Sequence, residues 1–337
     1  LYTYQLKSRQ LNHFDSKQTG LPHNTIYSII HTKDNQIYIG TYNGLCRYVQ
    51  ASGKFENILL PVNRGGSNLF VNSLLEDTTR QCIWIGMEGY LFQYNPTIGE
   101  MKAIEVFHNN SIKSLALDGD ENLLAGTDNG LYVYQNDKEP LQHIIHDSRN
   151  IQSLTNNIIW NIFSDQEHNI WLGTDYGISL SRYNSALQFV PISQITGTGD
   201  GNQFYSLFRD SKGFYWFGGT NGVIRFTHPA GNKHDAIWYR MGDKNHPLSH
   251  NRIRHIYEDR EQQLWIATDG SINRYDYNTH QFVHYNIVDS TGTYNTNWAY
   301  YLFEDTDGKL WIATCLGGIF VVDKHKLIQS AGRSYVA

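Results

Sequence analysis

Arg252, Arg254 and His255 place two guanidiniums and an imidazole within four consecutive residues. A guanidinium holds a carboxylate or sulfate through two parallel hydrogen bonds, whereas an ammonium does so as a point charge. Tyr27, Asn72, Lys113, Trp160, Tyr205, Arg254 and Tyr300 recur 41 to 49 residues apart, a series of aromatic, basic and amide side chains at one recurring place. Tyr176 and Trp298 stand close to that series in sequence. An aromatic ring offers a flat apolar face with polar edges and can lie against the C–H face of a pyranose. The candidate ligand-binding residues are therefore Tyr27, Lys113, Trp160, Tyr176, Tyr205, Arg252, Arg254, His255, Trp298 and Tyr300, and the chemistry they suit is sugar recognition. The Arg252, Arg254 and His255 group favours an anionic glycan. The plainer reading of the same residues is that they fill space and bond one another.

Catalytic patterns are missing. The 15 histidines include no HExxH pair, there is no G-x-S-x-G elbow, and no glycine-rich phosphate loop opens a helix. Glu88, Asp175 and Asp269 could supply the two carboxylates of a glycosidase, but nothing in their spacing sets them across a sugar. Asp305-Thr-Asp-Gly308 begins like a calcium loop and lacks the downstream glutamate. No enzyme activity, metal or cofactor is expected. A net charge of -5 gives no electrostatic footprint for nucleic acid, and no apolar run approaches the roughly 18 residues of a membrane span. Cys46, Cys82 and Cys315 form no disulfide framework and read as buried thiols.

The elements that must position the candidates come from a repeat. The phrase Asn169-Ile-Trp-Leu-Gly-Thr-Asp-Tyr-Gly-Ile178 is one of seven copies, whose strand-closing small residues are Gly40, Gly86, Gly126, Gly173, Gly218, Ala267 and Ala313. Each unit reads as a strand, a polar Asp/Asn/Gly turn, the Trp-Ile-Gly strand with its glycine turn, a third strand and a looser fourth. Trp84, Trp171, Trp216, Trp265 and Trp311 occupy one repeat position and read as core. Periods of about 45 residues belong to propeller blades, whose two apolar faces are covered only by neighbouring blades. The expected fold is all-β: a seven-bladed β-propeller of four-stranded antiparallel meander blades. The economical closure sets residues 10–14 on the outer edge of the last blade. The expected organisation is one propeller over residues 1–323 and a tail over 324–337 leading toward a following module. The sequence starts inside a repeat unit without an initiator Met, as a piece of a longer protein would.

Leu21-Pro-His-Asn-Thr-Ile-Tyr-Ser-Ile-Ile-His-Thr-Lys-Asp-Asn-Gln-Ile-Tyr-Ile-Gly-Thr-Tyr-Asn-Gly-Leu45 and the stretch from Leu154 to Ile178 resemble the two-component regulator propeller repeat. The resemblance extends over all seven units. Met87 replaces the usual Thr in the second unit, Leu124-Ala125 replaces Trp-Ile in the third, and alanine replaces glycine in the last two. The resemblance implies the periplasmic sensor region of a Bacteroidetes hybrid two-component receptor. It further implies an oligosaccharide signal, a second propeller in the same receptor, a homodimeric assembly, and a membrane span and histidine kinase in the rest of the protein. The alternative is an interaction propeller whose aromatic face packs on a second propeller or partner, with the ligand elsewhere. A glycan-cleaving propeller is the third reading.

Overall fold

The computed structural model describes every residue except 6–7, 63–68, 105–109, 136–137, 151, 184–188, 192–202, 228–235, 245–246, 333–334 and 337. The fold is all-β, a seven-bladed propeller of antiparallel meander blades. The only helix among the described residues is Lys324–Gln329. Contacts divide the chain into two compact units, Leu1–Ile145 with Asn157–Ser164 and His146–Asn156 with Asp165–Ala337.

The first unit holds three whole blades. Their strands are Ile26–His31, Ile37–Thr41, Gly44–Val49 and Lys54–Ile58, then Val71–Asp77, Cys82–Met87, Leu91–Asn95 and Glu100–Ile104, then Ile112–Leu117, Leu123–Thr127, Gly130–Gln135 and Lys138–Ile144. It also holds Ile159–Ser164, the first strand of the fourth blade. The second unit holds the remaining fourth-blade strands, Ile170–Thr174, Gly177–Ser181 and Phe189–Pro191. The fifth blade is Phe204–Arg209, Tyr215–Gly219, Gly222–Phe226 and Ile237–Tyr239, and the sixth Ile253–Glu258, Leu264–Thr268, Ser271–Asp276 and Gln281–Tyr285. The seventh has three strands, Ala299–Glu304, Lys309–Thr314 and Ile319–Asp323.

Three local devices explain why one phrase recurs. The first joins the turn to the strand after it. The carboxylate of Asp165 accepts the backbone N–H groups of Glu167 and Asn169 at 3.0 and 2.8 Å, and its second oxygen accepts the indole N–H of Trp171 at 2.8 Å. Asp210 serves Trp216, Asp259 serves Trp265 and Asp305 serves Trp311 in the same way, at 2.7, 2.9 and 2.7 Å. The indoles of Trp84, Trp171, Trp216 and Trp265 are fully buried, so each buried donor needs a partner, and the turn aspartate is that partner. From the sequence alone these aspartates read only as turn formers.

The second device is close approach between blades. A Cβ on Gly218 would lie 2.4 Å from Ile253 Cγ2, and one on Gly86 or Gly126 would lie 2.6 or 2.7 Å from Ile112 or Ile159. Each glycine thus admits the first residue of the next blade. The sixth blade carries Ala267 there, and the seventh begins with Ala299 in place of a branched residue, both inside one buried cluster. The pair conserves volume.

The third device aims side chains. Pairing between the first and second strands of a blade slips by one residue between Ile26 and Ser28, Val71 and Ser73, Ile112 and Ser114, Phe204 and Ser206, Ile253 and His255, and Ala299 and Tyr301. The skipped residues are Tyr27, Asn72, Lys113, Tyr205, Arg254 and Tyr300. A β-bulge leaves its extra residue out of the ladder and re-aims its side chain. Six of the seven members of the variable series are therefore bulge residues.

The chain ends differ from expectation. Residues 10–13 do not extend the last blade. Tyr2–Gln5 and Gln10–His13 pair with each other as a two-stranded sheet, with Tyr2 opposite His13, and Phe14 packs on Tyr48 and Phe55 of the first blade. A segment patterned like a third strand meets one patterned like a fourth across a short connection. That pairing costs less closure entropy than reaching a strand roughly 300 residues away. At the other end, Asp323 caps the Lys324–Gln329 helix by accepting the His325 and Lys326 N–H groups. Leu327 is buried in the core cluster of the last two blades, and Tyr335–Val336 pairs in parallel with Ile287–Val288. Cys46 and Cys82 are buried thiols as expected, but Cys315 is exposed; it lies on the turn after the Lys309–Thr314 strand, outside the core. No described helix is long and apolar enough to cross a membrane.

Candidate functional site

In the second unit the bulge residues of three consecutive blades share a network. Arg254 donates to both carboxylate oxygens of Asp269, at 2.6 and 3.1 Å, and its guanidinium lies 4.4 Å above the ring of Tyr300. Arg252 reaches toward the same carboxylate at 3.9 Å and keeps about half of its side chain exposed. The Tyr205 hydroxyl donates to Gln203 Oε1, and the Gln203 amide donates to Asp175 Oδ1 at 2.7 Å. Burial pushes the Tyr205 phenol above its ordinary pKa, against the pull of Arg252 and Arg254, so it remains a donor. Tyr176 extends from the adjoining fourth-blade turn and is 53% exposed.

Trp298 completes the array. Its backbone takes φ = 55°, a left-handed conformation in which a bulky residue is strained. Its N–H donates to Asp269 O and its carbonyl accepts from Cys315 N–H, each at 3.0 Å. Those two bonds hold the strained residue, and its indole is 46% exposed. Asp269 is thus the hub: its side chain orients two arginines and its carbonyl fixes Trp298. In the sequence it reads as one of three carboxylates that could serve a glycosidase. The signal available was its place in the Thr-Asp-Gly turn beside a blade whose bulge residue is a cation.

The first unit presents two smaller groups. Lys113 sits 4.5 Å over the ring of Trp160. Tyr27 lies beside Tyr42 and Phe70 at 6.5 and 6.1 Å, Tyr42 meets Phe70 edge-on at 4.4 Å, and His23 adjoins Tyr42 at 4.8 Å. Asn72, their second-blade equivalent, bonds the carbonyl of Ile112 at 3.1 Å and serves packing.

His255 is not in the array. It stacks on Tyr301 at 4.0 Å, and its Nδ1 accepts the Leu302 N–H at 3.2 Å. Burial lowers its pKa to about 4. A histidine held neutral in the fold stabilises it above the unfolded value near 6.5, and that contribution disappears as pH falls through the folded value. Unfolding curves between pH 6.5 and 4 are expected to show a loss of about 3 kcal/mol from this group, and His255→Gln should lack that part of the loss. A parallel pH profile in the variant would show that the imidazole is not the titrating group.

Chemically, the array can stack and hydrogen-bond. Its two guanidiniums, Arg252 and Arg254, and its two carboxylates, Asp269 and Asp175, balance in formal charge, with both guanidiniums directed at Asp269. Asp269 is engaged with two arginines and Asp175 with the Gln203 amide. Among the described residues no His, Cys, Asp or Glu group is arranged to hold a metal ion.

Known proteins share this construction. The two component regulator propeller model matches residues 20–43, 153–176, 198–221, 247–270 and 293–315. Five stretches of the chain thus carry the two-component regulator propeller repeat. Two solved structures similar to this propeller are extracellular domains from B. thetaiotaomicron, described as belonging to a one component system and to a hybrid two component system. They are 81% and 82% identical, each with TM-score 0.52. The match covers 100% of this chain and 45% of each of theirs, so the propeller spans less than half of those domains. The virginiamycin B lyase of Staphylococcus aureus is 12% identical at TM-score 0.56, over 88% of this chain and 93% of that one, a likeness of fold alone. A comparison with curated proteins finds no match.

Proposed function

We propose that this propeller is part of the extracytoplasmic sensing region of a hybrid two-component receptor, and that it binds a carbohydrate at the array of Tyr205, Arg254, Tyr300 and Trp298. The extracellular relatives support the location and the sensing role. The observation that carries the ligand reading is Trp298: a large aromatic side chain is kept exposed, at a backbone cost, on a residue bonded to the carbonyl of the same Asp269 that holds Arg254. The charge balance of the array favours a neutral glycan over the anionic one that Arg252 and Arg254 alone suggested. A ligand signals only by binding two receptor arrangements with different affinity, which a second propeller and a homodimeric partner outside this chain would supply.

The test is calorimetric titration of the chain with neutral, uronic and sulfated oligosaccharides. Saturable binding of a neutral class is expected, with Trp298→Ala and Arg254→Ala each weakening it by about 2 kcal/mol, roughly 30-fold. Unchanged affinity in both folded variants would remove the ligand from this array.

An interaction role has one observation in its favour. Tyr301, Phe303, Ile319 and Val321 share one face of the three-stranded seventh blade by register, and all four are exposed. In that reading a neighbouring domain covers this blade and the array, and the complete receptor binds its sugar normally after Trp298→Ala.

A further inference from the structure

The crossing from the sixth blade to the seventh departs from the other crossings at two backbone positions. At the start of the third strand, Gly44, Gly130, Gly177 and Gly222 take φ between 93° and 115°, a region that residues with a Cβ rarely enter. The sixth blade has Ser271 there, at φ = 94°, the largest positive value among the described residues other than glycine. A Cβ on Gly130 or Gly222 would lie 2.4 Å from a fourth-strand carbonyl. In the sixth blade the corresponding carbonyl, that of Tyr285, accepts the Ser271 hydroxyl at 2.6 Å. The second departure is Trp298. No other described residue directly ahead of a blade's first strand shares its positive φ. Such conformations persist only where the surroundings hold them, and they cluster at clamps and switches.

Both positions lead to Thr296. Ser271 donates to Tyr285, so its oxygen accepts from the Thr296 hydroxyl. The Thr296 N–H donates to Ile287 O at 2.9 Å, and the Thr296 hydroxyl accepts the Ile287 N–H at 3.2 Å. Thr296 and Ile287 are fully buried, and Trp298 follows Thr296 by two residues. On its other side Ile287–Val288 carries the strand Tyr335–Val336, with the Tyr335 N–H donating to Asn286 O at 3.0 Å. A continuous hydrogen-bonded path thus joins the strained Trp298 segment to the Tyr335–Val336 strand. We propose that Ser271 and Thr296 are positioning residues for Trp298, and that through Thr296 the left-handed pose of Trp298 and the docking of Tyr335–Val336 form one two-state element. With the strand docked, the indole is held out; with the strand released, residue 298 relaxes to an ordinary φ. A sugar that binds the held indole favours the docked strand, and the docked strand strengthens sugar binding by the same factor. Only that last step rests on the carbohydrate reading of the array.

Hydrogen exchange of the Tyr335 amide in the 337-residue chain, followed by NMR without ligand, tests the coupling. Alanine at position 298 loses the indole and keeps the strain, whereas glycine loses the indole and adopts φ = 55° freely. Exchange is expected to be about fivefold slower in Trp298→Gly than in Trp298→Ala. Thr296→Val, close to threonine in volume, should speed it about tenfold while the backbone amide of Trp216 in the fifth blade exchanges as before. Equal exchange of Tyr335 in the glycine and alanine variants would overturn the coupling. So would equal acceleration of the Tyr335 and Trp216 amides in Thr296→Val, which would mark Thr296 as holding the fold as a whole. No sugar enters these measurements. A chain that binds no oligosaccharide still shows the coupling if it exists, and a bound oligosaccharide does not establish it.

Discussion

Trp171→Ala is expected to destabilise the chain by about 4 kcal/mol, within the usual range for truncating a buried tryptophan. The indole fills the space between two blades and touches three aromatic rings of the next one. Its loss opens a cavity at a junction where neither blade can collapse, because each is tied to its own ladder. It also takes one donor from Asp165, which keeps the Glu167, Asn169 and Tyr215 donors. Trp171→Phe separates the two effects: most of the volume stays, the indole N–H goes, and the loss should be about 1 kcal/mol. Urea midpoints for the two variants decide the matter. Equal losses would mean that the hydrogen bond, and not the packing, holds the junction.

Lys324→Met is expected to cost about 3–5 kcal/mol, the range for breaking a buried ion pair from one side. Lys324 is 1% exposed, with its Nζ 2.6 Å from Glu304, 3.3 Å from Asp259 and 3.4 Å from Glu261. Glu304 and Asp259 are themselves buried. Without the ammonium, two carboxylates face each other out of water. Burial lowers the Lys324 pKa, but Glu304 and Asp259 raise it further, and the net shift is upward. The contribution is therefore full below the ordinary lysine value and is lost only as pH rises through the raised one. The deficit of the variant should be full at neutrality and shrink only as pH rises through the raised lysine value. Lys324→Met with Glu304→Leu should recover part of it. A deficit below about 1 kcal/mol at pH 7 would show that the cluster does not fasten the helix.

Much of this was legible in the sequence because a repeat states each rule several times. The strands, the buried tryptophans and the variable series were readable from period alone, and the bulge explains why Tyr205, Arg254 and Tyr300 share a surface. Partner choice was not readable. The segments at residues 2–5 and 10–13 look like strands, yet nothing local says that they choose each other over a distant edge. His255 was grouped with Arg252 and Arg254 by proximity, although neighbouring residues on a strand point to opposite faces. Asp269 looked like a turn residue, because its three tasks depend on residues 15 to 29 positions away.

The carboxylate-bound indoles have an optical consequence. Five of the eight tryptophans donate their N–H to a turn aspartate, and four of those are sealed from solvent. The emission of those four forms a steady background that no external quencher reaches. Trp160 and Trp298 are the most exposed, at 37% and 46%, one in each unit, while Trp238 and Trp311 are half-buried, so iodide acts chiefly on the first two. A sugar shielding Trp298 reduces the quenchable fraction while the background stays fixed. The blade architecture thus supplies its own reference signal, and occupancy of the array can be read from the unlabelled protein.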